Sequence, residues 1–205
     1  MIRLLKFFWW SCVAVFCGLL LSFSGAFLYL SPTLPSVESL RQVQLQIPLR
    51  VYSSDAKLIA EFGEMRRSPI AFADIPEDFI SALLAAEDDN FANHYGVDVT
   101  SLMRAATQLL KSGQNQSGGS TSTMQVAKNF FLTSERSFSR KATEILLALQ
   151  IERELSKDEI LELYVNKIYL GHRAYGIEAA AQVYYGKSIR ELNLAQMAMI
   201  AGLPK

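Results

Sequence analysis

The sequence predicts a mainly α-helical protein, in which one membrane-spanning helix and a small β-hairpin precede a helical domain. Three observations predict this organisation. A long N-terminal stretch carries no charge, two short β-prone runs follow it, and the segments from Pro76 onward show apolar residues at helical spacing. The chain has 205 residues, of which 50% are hydrophobic, and this is enough for one domain with a core of its own plus additional segments.

The charge balance and the cysteines narrow the possible functions. The chain has 20 basic and 20 acidic residues, so its formal net charge is zero. A nucleic-acid-binding surface needs a basic excess, and we therefore expect no nucleic-acid partner. Cys12 and Cys17 both fall inside the uncharged N-terminal stretch. The rest of the chain can form no disulfide, and the sequence contains no Cys/His cluster with metal-ligand spacing.

Residues 7–30 contain no charged side chain, and about 20 apolar residues in helical form are needed to cross a bilayer core. Arg3 and Lys6 precede this stretch, whereas acidic residues begin only at Glu38. The positive-inside rule therefore places residues 1–6 in the cytoplasm and the rest of the chain outside. A cleaved signal peptide is the alternative, but its apolar core would be shorter and would end at small residues. We favour an uncleaved anchor.

Residues 31–75 are predicted to form a linker and a small hairpin. The first part contains prolines and little periodicity. Leu49–Tyr52 and Leu58–Phe62 are β-prone runs, and Ser53, Ser54 and Asp55 between them favour a turn.

The first helix after the hairpin carries the strongest catalytic candidate. Pro76 suits its first turn, because the missing N–H of a proline would have no partner there. One apolar face is formed by Phe79, Ile80, Leu83 and Leu84. Glu87 continues the same face, where a carboxylate among apolar side chains is a candidate general base. Spacing alone equally allows a glutamate at the helix end that is turned to solvent.

Further helices are marked by residues that favour N-caps. The expected N-caps, in chain order, are Asp98, Ser139, Ser156 and Asn193. Ser156 is followed three residues later by Glu159, which is the pattern of a capping box. We expect the final helix to end at Gly202.

Residues 112–120 form a polar, glycine-rich segment that leads into the next helix. A flexible connector is the simplest interpretation of its first part. Residues 118–120 open directly into the helix, whose first turn can present backbone N–H groups to an anion. Thr121, Gln125 and Lys128 share one face of that helix. Such a polar stripe is usually only a solvated surface.

Arg140 and Glu144 are four residues apart on a helix that is apolar on more than one face. A charge on a largely buried helix needs a partner or a chemical purpose. An ordinary ion pair at the surface is the alternative.

Four stretches resemble, in the family's order, the signatures of the peptidoglycan glycosyltransferases, which include class A penicillin-binding proteins and their monofunctional relatives. The first is Glu87-Asp88-x-x-Phe91-x-x-His94-x-Gly96. The second is Gly118-Gly119-Ser120-Thr121-x-Thr123-x-Gln125-x-x-Lys128-Asn129. The third is Arg140-Lys141-x-x-Glu144-x-x-x-Ala148-x-x-x-Glu152, and the fourth spans residues 157–166 with Gly171. Two positions depart from the second signature, because Ser122 stands where the family commonly has Ile and Met124 where it commonly has Gln.

The resemblance covers about residues 48–205, and residues 48–67 are similar to the 1A-type members of Gram-negative bacteria. It implies a lysozyme-like helical glycosyltransferase domain from residue 76 to residue 205, with its C-terminal part missing. A missing part would leave some of the core uncovered and the fragment weakly active or inactive. A transpeptidase domain is expected to follow in the natural protein.

The resemblance also implies roles for residues. Glu87 would be the catalytic base and Glu144 a second catalytic carboxylate, which either orients the donor phosphates or holds a divalent cation such as Mg²⁺ or Mn²⁺. No cofactor is obligatory. The residues implied in pyrophosphate binding are Ser120, Thr121, Gln125, Lys128, Asn129 and Arg140. The supporting residues are Asp88, Phe91, His94 and Gly96.

The implied substrates are lipid II and the nascent glycan chain, joined by β-1,4 linkage with inversion and release of polyprenyl pyrophosphate. The implied location is the bacterial inner membrane, crossed once, with the catalytic domain on the periplasmic side. Other cell-wall synthesis proteins and moenomycin-type inhibitors are the further partners implied. Two alternatives stay open: a lysozyme-like enzyme that cleaves glycan, and an inactive membrane-tethered fragment that only binds other proteins.

Overall fold

The computed structural model describes residues 2–30, 34–43, 45–55, 58–112, 119–133 and 137–204. In these ranges the protein is mainly helical, as predicted. The α-helices are α1 (Ile2–Leu30), α2 (Glu77–Glu87), α3 (Val99–Ser112), α4 (Ser122–Phe131), α5 (Phe138–Glu154), α6 (Lys157–Lys167), α7 (Ile177–Tyr185) and α8 (Leu194–Ala201). The strands are β1 (Leu49–Tyr52), β2 (Leu58–Phe62), β3 (Arg66–Arg67) and β4 (Ala174–Tyr175). Short 3-10 helices occur at Val37–Gln42, Phe72–Asp74 and Ile189–Glu191.

Helix α1 contains the whole stretch predicted to span the membrane. Over the described ranges, however, no helix has both the length and the apolar character that crossing a bilayer requires. The anchor at residues 7–30 therefore stays a prediction.

The hairpin is confirmed with the two strands that the sequence predicts. Strands β1 and β2 pair antiparallel, with Leu49 opposite Phe62 and Val51 opposite Ala60. Ser53 donates a hydrogen bond to the Asp55 carboxylate in the connecting turn. Of the segment predicted as a linker, Val37–Gln42 forms a 3-10 helix whose Val37 and Leu40 are buried in the core.

Most of the helix caps are as predicted. The side chains of Asp98, Ser156 and Asn193 accept backbone N–H groups in the first turns of α3, α6 and α8. The Ser139 prediction is wrong, because Ser137 has the extended backbone that an N-cap needs and accepts the Arg140 N–H. Pro76 likewise lies one position earlier than expected, at the N-cap of α2.

Helix α4 lies against both α5 and α6, and α2 lies against α8. The side chains buried most completely in this core include Phe79, Leu83, Met124, Leu147, Ile151 and Tyr164. The expectation of helices alone after Pro76 is wrong at one point, because β4 pairs parallel with β3. This pairing joins the segment before α2 to the loop that follows α6.

Candidate active site

Glu87 is the last residue of α2 and is half-buried at the edge of a cleft. The first cleft, as we call it, has a volume of about 330 Å³. Its walls come from residues 85–89, from α3 with the preceding Asp98, and from Ser120 and Thr121 before α4. Glu87 is therefore placed beside a space large enough for part of a ligand.

One oxygen of the Glu87 carboxylate is held by a neighbouring helix. Gln125 Nε2 donates to Glu87 Oε2 at 3.0 Å, and the Tyr164 hydroxyl donates to Gln125 Oε1 at 3.4 Å. Glu87 Oε1 accepts no hydrogen bond from any residue that the structure describes. Glu87 is thus oriented by Gln125 and keeps one oxygen available to accept a proton.

Asp88 connects the end of α2 to the start of α4. Its buried carboxylate accepts the Ser122 N–H at 2.8 Å and contacts His94 Nε2 at 3.1 Å. A carboxylate is stabilised at a helix N-terminus by the free N–H groups and the helix dipole. Two N–H groups of the first turn of α4 are thus already occupied, because Asp88 accepts the N–H of Ser122 and Thr121 Oγ1 accepts the N–H of Met124. The predicted binding of an anion by the 118–121 turn stays a prediction for its other N–H groups. Gly118 lies outside the described residues.

The contacts of His94 define which of its nitrogens carries the proton. The Gly96 N–H donates to His94 Nδ1 at 3.1 Å, so Nδ1 must be the acceptor nitrogen. The proton is then on Nε2 and is donated to Asp88. These contacts of His94 close the loop between α2 and α3.

Phe91 also holds this loop in place, through its buried ring. Its ring is buried and meets the His94 ring edge-on, with the ring centroids 5.8 Å apart. Lys157 Nζ lies 4.4 Å from the centroid of the Phe91 ring and donates to the His94 carbonyl at 2.7 Å. Lys157 also pairs with Glu152 at 2.7 Å, so helix α6 and helix α5 both hold the loop.

Gly96 is required by the close packing of this loop on α5. Its φ of +84° is unfavourable for residues with a side chain, and a Cβ there would lie 2.6 Å from the Ala148 carbonyl oxygen. The Gly96 carbonyl accepts the Thr121 hydroxyl at 2.6 Å. Thr121 is also the N-cap of α4, so it ties the helix start to the loop.

Glu144 is buried between two cations. Its exposed fraction is 2%, Oε1 accepts Lys141 Nζ at 2.6 Å, and Oε2 accepts Arg140 NH1 at 3.2 Å. Lys141 also donates to the Ser120 hydroxyl at 2.6 Å. The ion pair of Arg140 and Glu144 is therefore present, but its carboxylate is buried and not exposed at the surface. Glu144 thus holds two cations, of which Lys141 contacts Ser120 in the wall of the first cleft.

A divalent cation does not fit at Glu144. Both carboxylate oxygens already face positive side chains, which would repel a metal ion. Among the residues that the structure describes, no group of three or more His, Cys, Asp or Glu side chains could hold a metal. The other alternative for Glu144, in which it orients the donor phosphates, stays a prediction.

Lys128 and Asn129 face a different space. With Gln125 they line a second cleft of about 360 Å³, whose other walls are the loop at residues 168–171, Tyr184 and residues 203–204. The shared face predicted for Thr121, Gln125 and Lys128 is thus divided between two clefts. Because Glu87 lines the first cleft and Gln125 the second, their hydrogen bond joins the two.

Several residues around the site were assigned no role from the sequence. The ion pair of Lys141 with Glu144 could have been predicted from their spacing of three residues in one helix. The contact of Tyr164 with Gln125 could not, because the two residues lie 39 positions apart in the sequence. Burial raises the pKa of the Tyr164 hydroxyl, and the negative charges of Glu87 and Asp88 raise it further. Asp98 lines the first cleft, and hydrogen bonds from the Ser101 and Thr100 side chains lower the pKa of its carboxyl to about 2.

Known proteins resemble this chain strongly. Penicillin-binding protein 1A of Pseudomonas aeruginosa is 82% identical over 203 residues, which are 99% of this chain and 25% of that protein. Penicillin-binding protein 1A of Escherichia coli K12 is 50% identical over 204 residues, which are 98% of this chain and 24% of that protein. The crystal structure of penicillin-binding protein 1A from Haemophilus influenzae aligns with 36% identity and a TM-score of 0.38, over 79% of this chain and 14% of that one.

The chain thus spans about a quarter of the length of the curated relatives it matches. A family model described as transglycosylase matches residues 55–205, which include α2 to α8 and every residue of the candidate site. The chain therefore belongs to the transglycosylase family.

Proposed function

We propose that the chain is a peptidoglycan glycosyltransferase that polymerises lipid II into β-1,4-linked glycan strands during bacterial cell-wall synthesis. The observation that carries the proposal is the Glu87 carboxylate in the wall of the first cleft. One of its oxygens is held by Gln125, which lines the second cleft, and the other is open. Membership of the transglycosylase family and the relatives named penicillin-binding protein 1A support it.

In the proposed reaction Glu87 Oε1 accepts the proton of the 4-hydroxyl of the acceptor sugar. The hydroxyl oxygen forms a bond to the anomeric carbon of the donor, and the bond from that carbon to the pyrophosphate oxygen breaks. The electron pair leaves with the pyrophosphate, and the proton stays on Glu87 until it is lost to solvent. This single displacement inverts the α-linked donor to a β linkage and needs no covalent intermediate.

Negative charge grows on the leaving pyrophosphate, and cations placed in advance stabilise it. Lys128 supplies such a cation in the second cleft, where Asn129 adds a neutral side-chain amide. Lys141 supplies another beside Ser120, and Arg140 is bound to the same Glu144 carboxylate as Lys141. Glu144 acts here as a positioning residue, since it holds Arg140 and Lys141 at fixed places.

We also propose that residues 7–30 anchor the chain in the inner membrane, with the catalytic domain on the periplasmic side. The uncharged stretch supports this, and so does the lipid tail of the substrate, which stays in the bilayer. Other cell-wall synthesis proteins are proposed partners. Retention of the chain in the membrane pellet after alkaline carbonate extraction is the expected result, and release into the supernatant would exclude the anchor.

A glycan-cleaving enzyme is the competing function, because lysozyme-like enzymes also use a glutamate. Cleavage releases no pyrophosphate, so it gives no purpose to the cations at Lys128, Arg140 and Lys141. An inactive tether would need neither the cations nor the open oxygen of Glu87.

The deciding experiment is Glu87→Gln in the natural protein that contains this chain, assayed by lipid II consumption and product length. Loss of the general base should lower polymerisation by about 10²–10⁴-fold, with thermal unfolding unchanged. Glu77→Gln, an exposed carboxylate in the first turn of the same helix, is the matched control and should leave the rate unchanged. Near-normal polymerisation by Glu87→Gln would refute the assignment, and glycan products that become shorter would favour cleavage.

A further inference from the structure

Tyr164 is the buried end of a hydrogen-bond chain that reaches Glu87. Its hydroxyl donates to Gln125 Oε1 at 3.4 Å, and Gln125 Nε2 donates to Glu87 Oε2 at 3.0 Å. The three residues lie on three helices, α6, α4 and α2. The exposed fraction of Tyr164 is 0%, so its ring is fixed by the core and can serve as a rigid reference point.

The side-chain amide of Gln125 can present either its oxygen or its NH₂ group to Glu87. Only the second orientation supports a carboxylate, and the Tyr164 hydroxyl selects it by binding the amide oxygen. Before proton transfer, the negative charge of Glu87 selects the same orientation. Once Glu87 has accepted a proton, its negative charge is gone and no longer selects this orientation. Among the described residues, Tyr164 then still holds the Gln125 amide in place through its hydrogen bond to Oε1.

This role requires Tyr164 to keep its own proton. Burial raises the pKa of its hydroxyl, and the negative charges of Glu87 and Asp88 act in the same direction. Both effects favour the protonated hydroxyl, which is the form that donates to Gln125.

We propose that Tyr164 is a positioning residue for the reaction, which acts through Gln125 to keep the Glu87 carboxyl oriented throughout proton transfer. The inference rests on the proposed function of Glu87 as general base. Tyr164 itself does not touch the substrate in this scheme. A purely structural tyrosine, by contrast, would contribute its ring to the core and nothing to the chemistry.

Tyr164→Phe separates these two roles, because it keeps the buried ring and removes only the hydroxyl. In the natural protein that contains this chain, kcat for lipid II polymerisation should fall about 3- to 10-fold, as expected for one lost hydrogen bond, while KM stays the same. Tyr175→Phe is the matched control, since the Tyr175 hydroxyl makes no hydrogen bond to any described residue. Its kcat should equal that of the wild type.

A double-mutant cycle tests whether Tyr164 acts through Gln125. In a Gln125→Ala background, Tyr164→Phe should lower kcat no further. The inference would be overturned if Tyr164→Phe lowered kcat by the same factor in the Gln125→Ala background as in the wild type. A wild-type kcat for the Tyr164→Phe single variant would also overturn it, and either result would leave the proposed function intact.

A spectroscopic measurement gives an answer that does not depend on activity. In protein labelled with ¹⁵N-glutamine, Tyr164→Phe should shift the side-chain amide resonances of Gln125, and Tyr175→Phe should leave them in place. Unshifted resonances in Tyr164→Phe would refute the contact. If the wild-type protein failed to polymerise lipid II, the proposed function would fall, and these resonances would still decide the role of Tyr164 toward Gln125.

Discussion

Gly96 shows how strongly a single residue can limit this site. It packs against the backbone of α5, and its carbonyl also receives the Thr121 hydroxyl, so any displacement of Gly96 moves the start of α4 as well. The loop that carries Asp88 and His94 is therefore positioned by a contact that admits no side chain.

We expect Gly96→Ala to destabilise the protein by at least about 2 kcal/mol, because the new Cβ combines a positive φ with a clash against backbone. Gly186→Ala is the matched control, since Gly186 also has a positive φ, of +66°, but nothing lies within 4 Å of its Cβ position. Urea unfolding of both variants measures the difference. Equal losses would show that the backbone angle alone, and not the approach to Ala148, makes glycine necessary.

Asp98 couples stability to acid. Its pKa is lowered from 3.8 to about 2 by hydrogen bonds from the Ser101 and Thr100 side chains. A carboxyl whose pKa is lower in the folded state stabilises fully above its unfolded-state pKa, and this contribution is lost as the pH falls toward the folded-state value. The wild type should therefore lose stability between about pH 4 and pH 2.

Asp98→Asn removes the charge and keeps a good N-cap, so the thermal midpoint of this variant should fall less than that of the wild type over the same pH range. Asp158→Asn, an exposed carboxylate in the first turn of α6, is the control and should follow the wild-type curve. Parallel curves for Asp98→Asn and wild type would contradict this origin of the acid sensitivity.

At the level of helices and strands, sequence patterns were reliable where the physical cause is local. The capping box of Ser156 and Glu159 lies within one turn, and the two strands of the hairpin are separated only by a short turn. The cap of α5 was misplaced, since Ser137 and Ser139 are both acceptable caps and only the extended backbone at Ser137 distinguishes them.

The structural features that the sequence did not predict depend on contacts between segments that are far apart in the chain. The Glu152 carboxylate accepts hydrogen bonds from the Thr123 hydroxyl and the Lys157 ammonium group. The Asn166 side chain hydrogen-bonds to both the N–H and the carbonyl of Ile70, which is 96 residues away in the chain. No periodicity within one helix encodes such pairs. The division of Thr121 and Lys128 between two clefts has the same origin, because it depends on the elements that surround α4.

Helix α4 carries Lys128, and helix α5 carries Arg140 and Lys141, and we assign these cations to the pyrophosphate. Lys128→Ala and Arg140→Ala should each weaken the binding of a pyrophosphate-bearing substrate or of a moenomycin-type inhibitor by about 10-fold or more, since each removes a charge-assisted contact. Lys187→Ala, an exposed lysine after α7, should bind like the wild type. Calorimetric titration measures all three, and wild-type affinity in both site variants would show that these cations are ordinary surface charges.

For the molecule as a whole, the core extends N-terminal to α2. Val37, Leu40, Ile70 and Ile75 are buried in the same cluster as the helices. Each fully buried side chain of this kind contributes about 1.5–3 kcal/mol, whereas a domain is stable by only about 5–15 kcal/mol in total. A helical domain that begins at residue 76 therefore lacks a large share of its packing.

We expect residues 76–205 expressed alone to unfold without a cooperative transition, and residues 34–205 to unfold at a clearly higher temperature. Residues 45–205, which lose Val37 and Leu40 but keep the hairpin, should lie between them. Circular dichroism during heating measures all three polypeptides. Identical transitions would show that the N-terminal residues add nothing to the stability of the core.

The short pairing of β3 with β4 connects the segment that follows the hairpin to the loop that lines the second cleft. The Arg66 N–H donates to the Arg173 carbonyl at 2.9 Å, and the Arg173 guanidinium in turn binds the carbonyls of Glu64 and Gly63. The loop held in this way includes Gly171, which lines the second cleft together with Lys128. Residues 63–67 are therefore connected by hydrogen bonds to the loop that forms part of the wall of the second cleft, so a displacement of one is expected to displace the other.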